Sequence, residues 1–218
     1  RLGATRLSAR VPPRAEGQGG ASGVAGTGRG SPHAFGGRGC SAAGTGFKAL
    51  YVQVRGRGEA HFNDGIELRA LALTRQPAGF DPLAETWKAA HGRGLRVHAW
   101  VNVNLVSSAT ALPPGRDHVI YEHPEWLMVP RELAPELAAI DPRSPEYLGR
   151  LARWTRAHTS RVEGLYVSPL HPDANIQTAA VVADLATRYA VDGVHFDYIR
   201  YPGADFDYSR AALDRFKA

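Results

Sequence analysis

Three short stretches of this chain alternate apolar and polar residues with period two, and stretches with helical punctuation lie between them. Few folds accept that order. The first stretch, Phe47 to Val54 (F-K-A-L-Y-V-Q-V), sets Leu50, Val52 and Val54 on one parity and Tyr51, Gln53 and Arg55 on the other. The second, Leu95 to Val103 (L-R-V-H-A-W-V-N-V), sets Val97, Ala99, Val101 and Val103 against His98, Trp100 and Asn102. The third, Asp192 to Tyr198, sets Val194 and Phe196 against His195 and Asp197. After the first, Asp81-Pro82 opens a helix, D-P-L-A-E-T-W-K-A-A-H, closed by the glycines of H-G-R-G. Asp can accept the free amides of the first turn, and Pro suits the first helical position. Ahead of the third, residues 173–190 read as a helix with Ile176, Ala180, Ala183 and Ala186–Thr187 near one stripe, widened by Val181, Leu185 and Tyr189. Strands alternating with helices pair in parallel, so the fold class is α/β. In a closed barrel the apolar parity packs on outer helices, and the other parity points inward toward the C-terminal mouth.

Between the second and third strands lies a long excursion, 104–191. It holds a helix at Pro145 to Thr159 and a short apolar piece, Gly164 to Val167. An excursion of this length over a strand's C-terminal end reads as a substrate-binding wall or lid.

Charge narrows the partners. Residues 1–46 contain six arginines, no lysine and one acid, Glu16, which together account for the whole net charge of +5. The rest of the chain is balanced, so it lacks the basic groove interleaved with aromatics that nucleic-acid binding needs. The same segment holds 13 of the 24 glycines and shows neither strand nor helix period. Residues 1–45 are therefore expected to be disordered, either a flexible tail or a stretch foreign to the domain, and 46–218 to form the domain. The single cysteine, Cys40, falls in the first of these and forms no intrachain disulfide. No apolar run is long enough for a membrane span, and no signal peptide is visible.

Four motifs in order resemble the glycosyl hydrolase-like 10 family, bacterial proteins associated with glycan and peptidoglycan cleavage. They are A-L-Y-V-Q-V-R-G-R-G at 49–58, G-L-R-V-H-A-W-V-N-V at 94–103, H-P-E-W-L-M at 123–128 and V-D-G-V-H-F-D-Y-I-R-Y-P at 191–202, the last preceded by A-T-R-Y-A. The resemblance runs from about Ala43 to the C-terminus. It implies a TIM, or (β/α)8, barrel of which strands two to four are present and strands five to eight absent. It also implies a glycoside hydrolase acting on a cell-wall type or related polysaccharide, outside the cytoplasm. On this expectation residues 1–218 are an incomplete fragment with little or no hydrolase activity.

Glycosidic cleavage passes through an oxocarbenium-like state and uses two carboxyl groups. Asp197, beside His195 at the mouth, is the leading candidate for one of them; the alternative is that it orients Arg200 or caps the following loop. Gln53, Arg55, His98, Asn102, His195 and Arg200 can bind sugar hydroxyls or each other. Trp100, Trp126, Tyr198 and Tyr201 offer faces to sugar C–H groups. Arg55 and Arg57 in R-G-R-G can bind carboxylates of an acidic glycan, or pair with Glu59 or Asp64. Glu59, Asp64, Glu125 and Asp141 are the nearby acids from which a second carboxylate could come. No metal or cofactor is assigned. A non-catalytic glycan-binding barrel is the alternative. A metal-dependent hydrolase using His98, His195 and Asp197 is a third reading, although the usual zinc-ligand spacings are missing.

Overall fold

A computed structural model of the chain describes residues 46–218. The expectations for residues 1–45, Cys40 included, lie outside the described residues. Among the described residues the chain is mixed α/β, with one four-stranded sheet. Strands β1 (Ala49–Gly56), β3 (Arg96–Asn102) and β4 (Gly193–Asp197) pair in parallel, and β2 (Glu59–Ala60) folds back antiparallel on the end of β1. The sheet order is β2-β1-β3-β4. The expected strands are therefore present with bounds moved by one or two residues. β2 is an addition: two residues are too few to carry a period.

Helix α1 (Pro82–His91) joins β1 to β3, and α5 (Pro172–Arg188) leads into β4. Asp81 caps α1, its carboxylate accepting from the amides of Leu83 and Ala84 at 3.0 Å, which satisfies two of the four free donors of a helix start. The apolar parity of the strands faces these helices. Val54, Val97, Ala99 and Val101 form one core with Leu83 and Ala90 of α1 and Leu185 of α5. Each fully buried side chain of this kind stabilises the fold by about 1.5–3 kcal/mol. The N-terminal ends of β3 and β4 are joined by Asp192, whose carboxylate accepts from the Val97 amide at 2.7 Å and pairs with His91 at 2.7 Å. Those two hydrogen bonds hold the Asp192 carboxyl below its ordinary value.

Two expectations need correction. On α5 the buried stripe is Ala174, Val181 and Leu185, whereas Ile176 is 68% exposed and Ala183, Ala186 and Thr187 are exposed. Spacings of seven and four residues put the first set on one side of the helix, and that side meets the core; Ile176 and Ala183 lie on the outward side. On β1 the strict alternation breaks between Gln53 and Arg55, where the register shifts. Arg55 consequently stands opposite Val101, a residue of the apolar parity, and not in line with Gln53.

The excursion is ordered and has its own core. Helices α2 (Val119–Glu122), α3 (Ala134–Leu137) and α4 (Pro145–Ala157) surround Ile120, Trp126, Leu133, Leu137, Leu148 and Leu151. The apolar piece expected at Gly164–Val167 lies between two other chain segments. Its backbone exchanges hydrogen bonds with 104–106 on one side (Val106 to Leu165, 2.9 Å; Val167 to Asn104, 2.8 Å) and with Met128 on the other (2.7 Å). Gly164 makes this possible: a Cβ there would lie 1.7 Å from the Ser107 carbonyl oxygen. The loop after β4 is stitched to the excursion before α6 (Arg210–Lys217) by bonds from Arg131 to Asp205 and from Tyr208 to Val129. Among the described residues no helix is long and apolar enough to cross a membrane.

Candidate functional site

The polar parity of the strands forms one face with three rows. Register pairs Tyr51 with His98 and His98 with Gly193, then Gln53 with Trp100 and Trp100 with His195, and finally Asn102 with Asp197. The first two rows are tied by rings. Tyr51 stacks on His98 with centroids 5.1 Å apart and meets His195 edge-on at 5.4 Å, while Trp100 meets His195 edge-on at 6.0 Å. Such contacts contribute about 0.5–1.5 kcal/mol each. Gly193 is required by this packing, since a Cβ there would fall 2.6 Å from His98 Nδ1. The expected inward residues Gln53, His98, Trp100, Asn102, His195 and Asp197 are thus brought together. Tyr51, 51% exposed, joins them; its parity had placed it on this face, although it was not among the named candidates.

Asp197 ends β4 with both carboxylate oxygens occupied by N–H donors. Trp100 Nε1 donates to Oδ2 at 3.1 Å and the Tyr198 amide donates to Oδ1 at 2.7 Å. The residue that donates the second bond has an uncommon backbone: Tyr198 sits at φ 51°, in the left-handed region. For an aromatic residue this costs about 1–3 kcal/mol and persists only where neighbours enforce it. Asn102, directly across from Asp197, is buried, and its side-chain oxygen has no hydrogen-bond partner among the described residues. A buried carbonyl left unpaired in this way is expensive, and a donor brought to it relieves that cost.

The arginines divide. Arg55 is 4% exposed; its guanidinium donates to both oxygens of Glu67 at 2.6 Å and to the carbonyls of Asn102 and Val103. It closes the end of β1 on β3 from inside the protein and does not project from the face. Arg57 is exposed at the tip of the β1–β2 turn, where its carbonyl accepts from His118 Nε2 at 2.8 Å. His118 is buried with Nδ1 accepting from the Ile120 amide, so the proton is on Nε2. Burial, the largest influence on this ring, lowers its proton affinity and favours that neutral form. Arg200 pairs with Glu163 at 2.7 Å and lies 5.5 Å from the Tyr198 ring centre. Tyr201 is exposed on the following loop.

The nearby acids have separate engagements. Glu125 pairs with His123 and Arg143, and Asp141 accepts from the Arg143 amide. Asp64 is exposed on a left-handed turn. Glu59, on β2, has its carboxyl raised by burial, partly offset by a backbone bond from Leu71 and the charge of Arg57. Near Gln53 stands His61, whose proton affinity burial lowers and whose Nδ1 is buried without a partner among the described residues. Sequence reasoning did not single it out, since it follows the two-residue β2. Among the described residues no three His, Cys, Asp or Glu side chains are grouped so as to hold a metal ion.

Two solved structures share the fold at low identity. One is a hypothetical protein from Ruminiclostridium thermocellum ATCC 27405 (TM-score 0.50, 14% identity, 82% of this chain and 76% of that one). The other is α-L-fucosidase isoenzyme 2 from Paenibacillus thiaminolyticus (TM-score 0.52, 19% identity, 87% of this chain and 23% of that one). Among curated sequences, glycosyl hydrolase DigH of Escherichia coli strain K12 and its counterpart in Shigella flexneri are each 31% identical over 166 residues, 73% of this chain. The chain spans about a third of the length of these relatives. The family model described as glycosyl hydrolase-like 10 matches residues 41–217. With the four sequence motifs, the shared fold and that match in agreement, the chain belongs to the glycosyl hydrolase-like 10 family.

Proposed function

We propose that this chain is part of a (β/α)8-barrel glycoside hydrolase, with Asp197 as one of two catalytic carboxylates acting on a cell-wall type polysaccharide. The observation that carries this reading is the position of Asp197. It ends a parallel strand, it is fixed by two N–H donors, and it shares a face with Trp100, His98, His195 and the unpaired oxygen of Asn102. Carbohydrates need such a face: an aromatic surface for C–H groups and short-range donors and acceptors for hydroxyls. A carboxylate at its rim can attack an anomeric carbon or activate water, and its partner protonates the leaving oxygen.

The partner carboxylate is proposed to come from a strand beyond β4. Among the described residues β4 is paired on one side alone, and the chain covers 33% of its relative's length, which supports a barrel continuing past that edge. Gln53, His98, Asn102, His195 and Tyr198 contact sugar in this reading, with Arg57, Arg200 and Tyr201 at the periphery; Arg55 supports the face from behind. A polysaccharide of the cell wall also supports action outside the cytoplasm.

In a protein extended to the length of the relatives, Asp197→Asn is expected to lower release of reducing ends from cell-wall glycan strands by at least about 10²-fold, with glycan binding kept. Unchanged turnover would remove Asp197 from the chemistry. Residues 1–218 alone are expected to bind glycan without turnover.

A further inference from the structure

Tyr198 cannot hold its left-handed backbone by itself, and the contacts that enforce it come from the excursion. Its carbonyl accepts from the Asn104 amide at 3.2 Å. Its ring is flanked by Tyr166, with centroids 6.1 Å apart, and by the Arg200 guanidinium at 5.5 Å. Both flanking groups end on one carboxylate: the Tyr166 hydroxyl donates to Glu163 Oε2 and Arg200 Nη2 donates to Glu163 Oε1, each at 2.7 Å. Tyr166 is 2% exposed and anchors the Glu163 carboxylate from inside, while the Arg200–Glu163 pair lies at the surface. The Glu163 backbone is fixed as well, by the bond from the Ala109 amide to its carbonyl at 2.9 Å and by the close approach of Gly164 to Ser107.

We infer that Glu163 is a positioning residue for Asp197: through Arg200 and Tyr166 it clamps the Tyr198 ring, and so holds in place the residue whose amide donates to the Asp197 carboxylate. The inference rests on the proposed role of Asp197 and adds to it a residue 34 positions away in sequence, on the excursion. Electrostatics agree. Burial alone would raise the Glu163 carboxyl, but hydrogen bonds from Tyr166, its own amide and Arg200 outweigh it and hold the group ionised. Burial and the Glu163 charge together push the Tyr166 phenol up, so it remains a donor.

The indole N–H of Trp100 reports on this clamp, because it donates to the other Asp197 oxygen. In ¹H–¹⁵N spectra of the full chain, with Trp100→Phe used for assignment, Glu163→Gln and Tyr166→Phe should each shift the Trp100 indole signal upfield. The signals of Trp87, bonded to the Ala190 carbonyl, and Trp154, bonded to Glu132, should stay in place. Glu132→Gln should move the Trp154 signal and leave Trp100 alone. An unmoved Trp100 signal in both Glu163→Gln and Tyr166→Phe overturns the inference. So does a change spread over all the indoles, which would mark general loosening. Asp197→Asn must itself move the Trp100 signal; if it does so while the turnover test above fails, the clamp stands and the catalytic reading falls.

Discussion

Strands β3 and β4 lie side by side and carry the same alternation, yet their apolar sides meet different fates. Val97, Ala99 and Val101 of β3 are at most 1% exposed, whereas Phe196 of β4 is 45% exposed. β3 has β1 on one side and β4 on the other, with α1 and α5 contributing to the core on its apolar side. β4 is flanked by β3 alone among the described residues. Alternation therefore decides which way a side chain points, and neighbours decide whether it is buried. On the polar side the two strands behave alike: Trp100 with His195, and Asn102 with Asp197, form continuous rows. The face that binds in our reading is shared by both strands, while the stability of the sheet rests unequally on them.

That inequality can be broken by truncation. Val101→Ala should destabilise the fold by about 2 kcal/mol, from lost burial plus the cavity left behind. Phe196→Ala, a larger deletion, should cost less than about 1 kcal/mol, as expected for an exposed site. Urea midpoints of the two variants decide the matter; equal losses, or a larger loss for Phe196, would mean that β4 is covered in solution.

The seam between the strands gives a smaller, pH-dependent effect. Asp192 is held below its ordinary value of 3.8, so its contribution to stability is present above that value and is lost as pH falls through the depressed one. Asp192→Asn should lower the urea midpoint at about pH 7, and the gap to the unaltered protein should close as pH falls below the ordinary value of 3.8. A gap independent of pH would show that the carboxylate is not what joins β3 to β4.

The strands, their parity and their capped helix were legible because each is encoded locally. Asp81-Pro82 satisfies its own helix start, and Val97, Ala99 and Val101 repeat at the strand period. What the sequence concealed depends on contacts between distant segments. Arg55 left the polar face because one irregularity in β1 moved the register, and a bulge has no signature in alternation alone. The α5 stripe was misassigned because Ile176 and Val181 both lie at helical spacing from other apolar residues, and the core accepts one set. Glu163 and Tyr166 lie within a segment whose partners, at 104–106 and 126–128, are far away in the chain. Among the site residues, Gln53, His98, Trp100, Asn102, His195 and Asp197 were found by parity, whereas His61 follows a two-residue strand that parity cannot detect.

The claim that the shared β3–β4 face binds a glycan is tested most directly by titrating the chain with soluble glycan-strand fragments of bacterial cell wall while following its indole and imidazole signals. Trp100, His98 and His195 should move together on one binding curve, also in the Asp197→Asn variant, while Trp87 and Trp154 stay still. No movement at Trp100, or movement confined to Trp154 on the excursion, would contradict it.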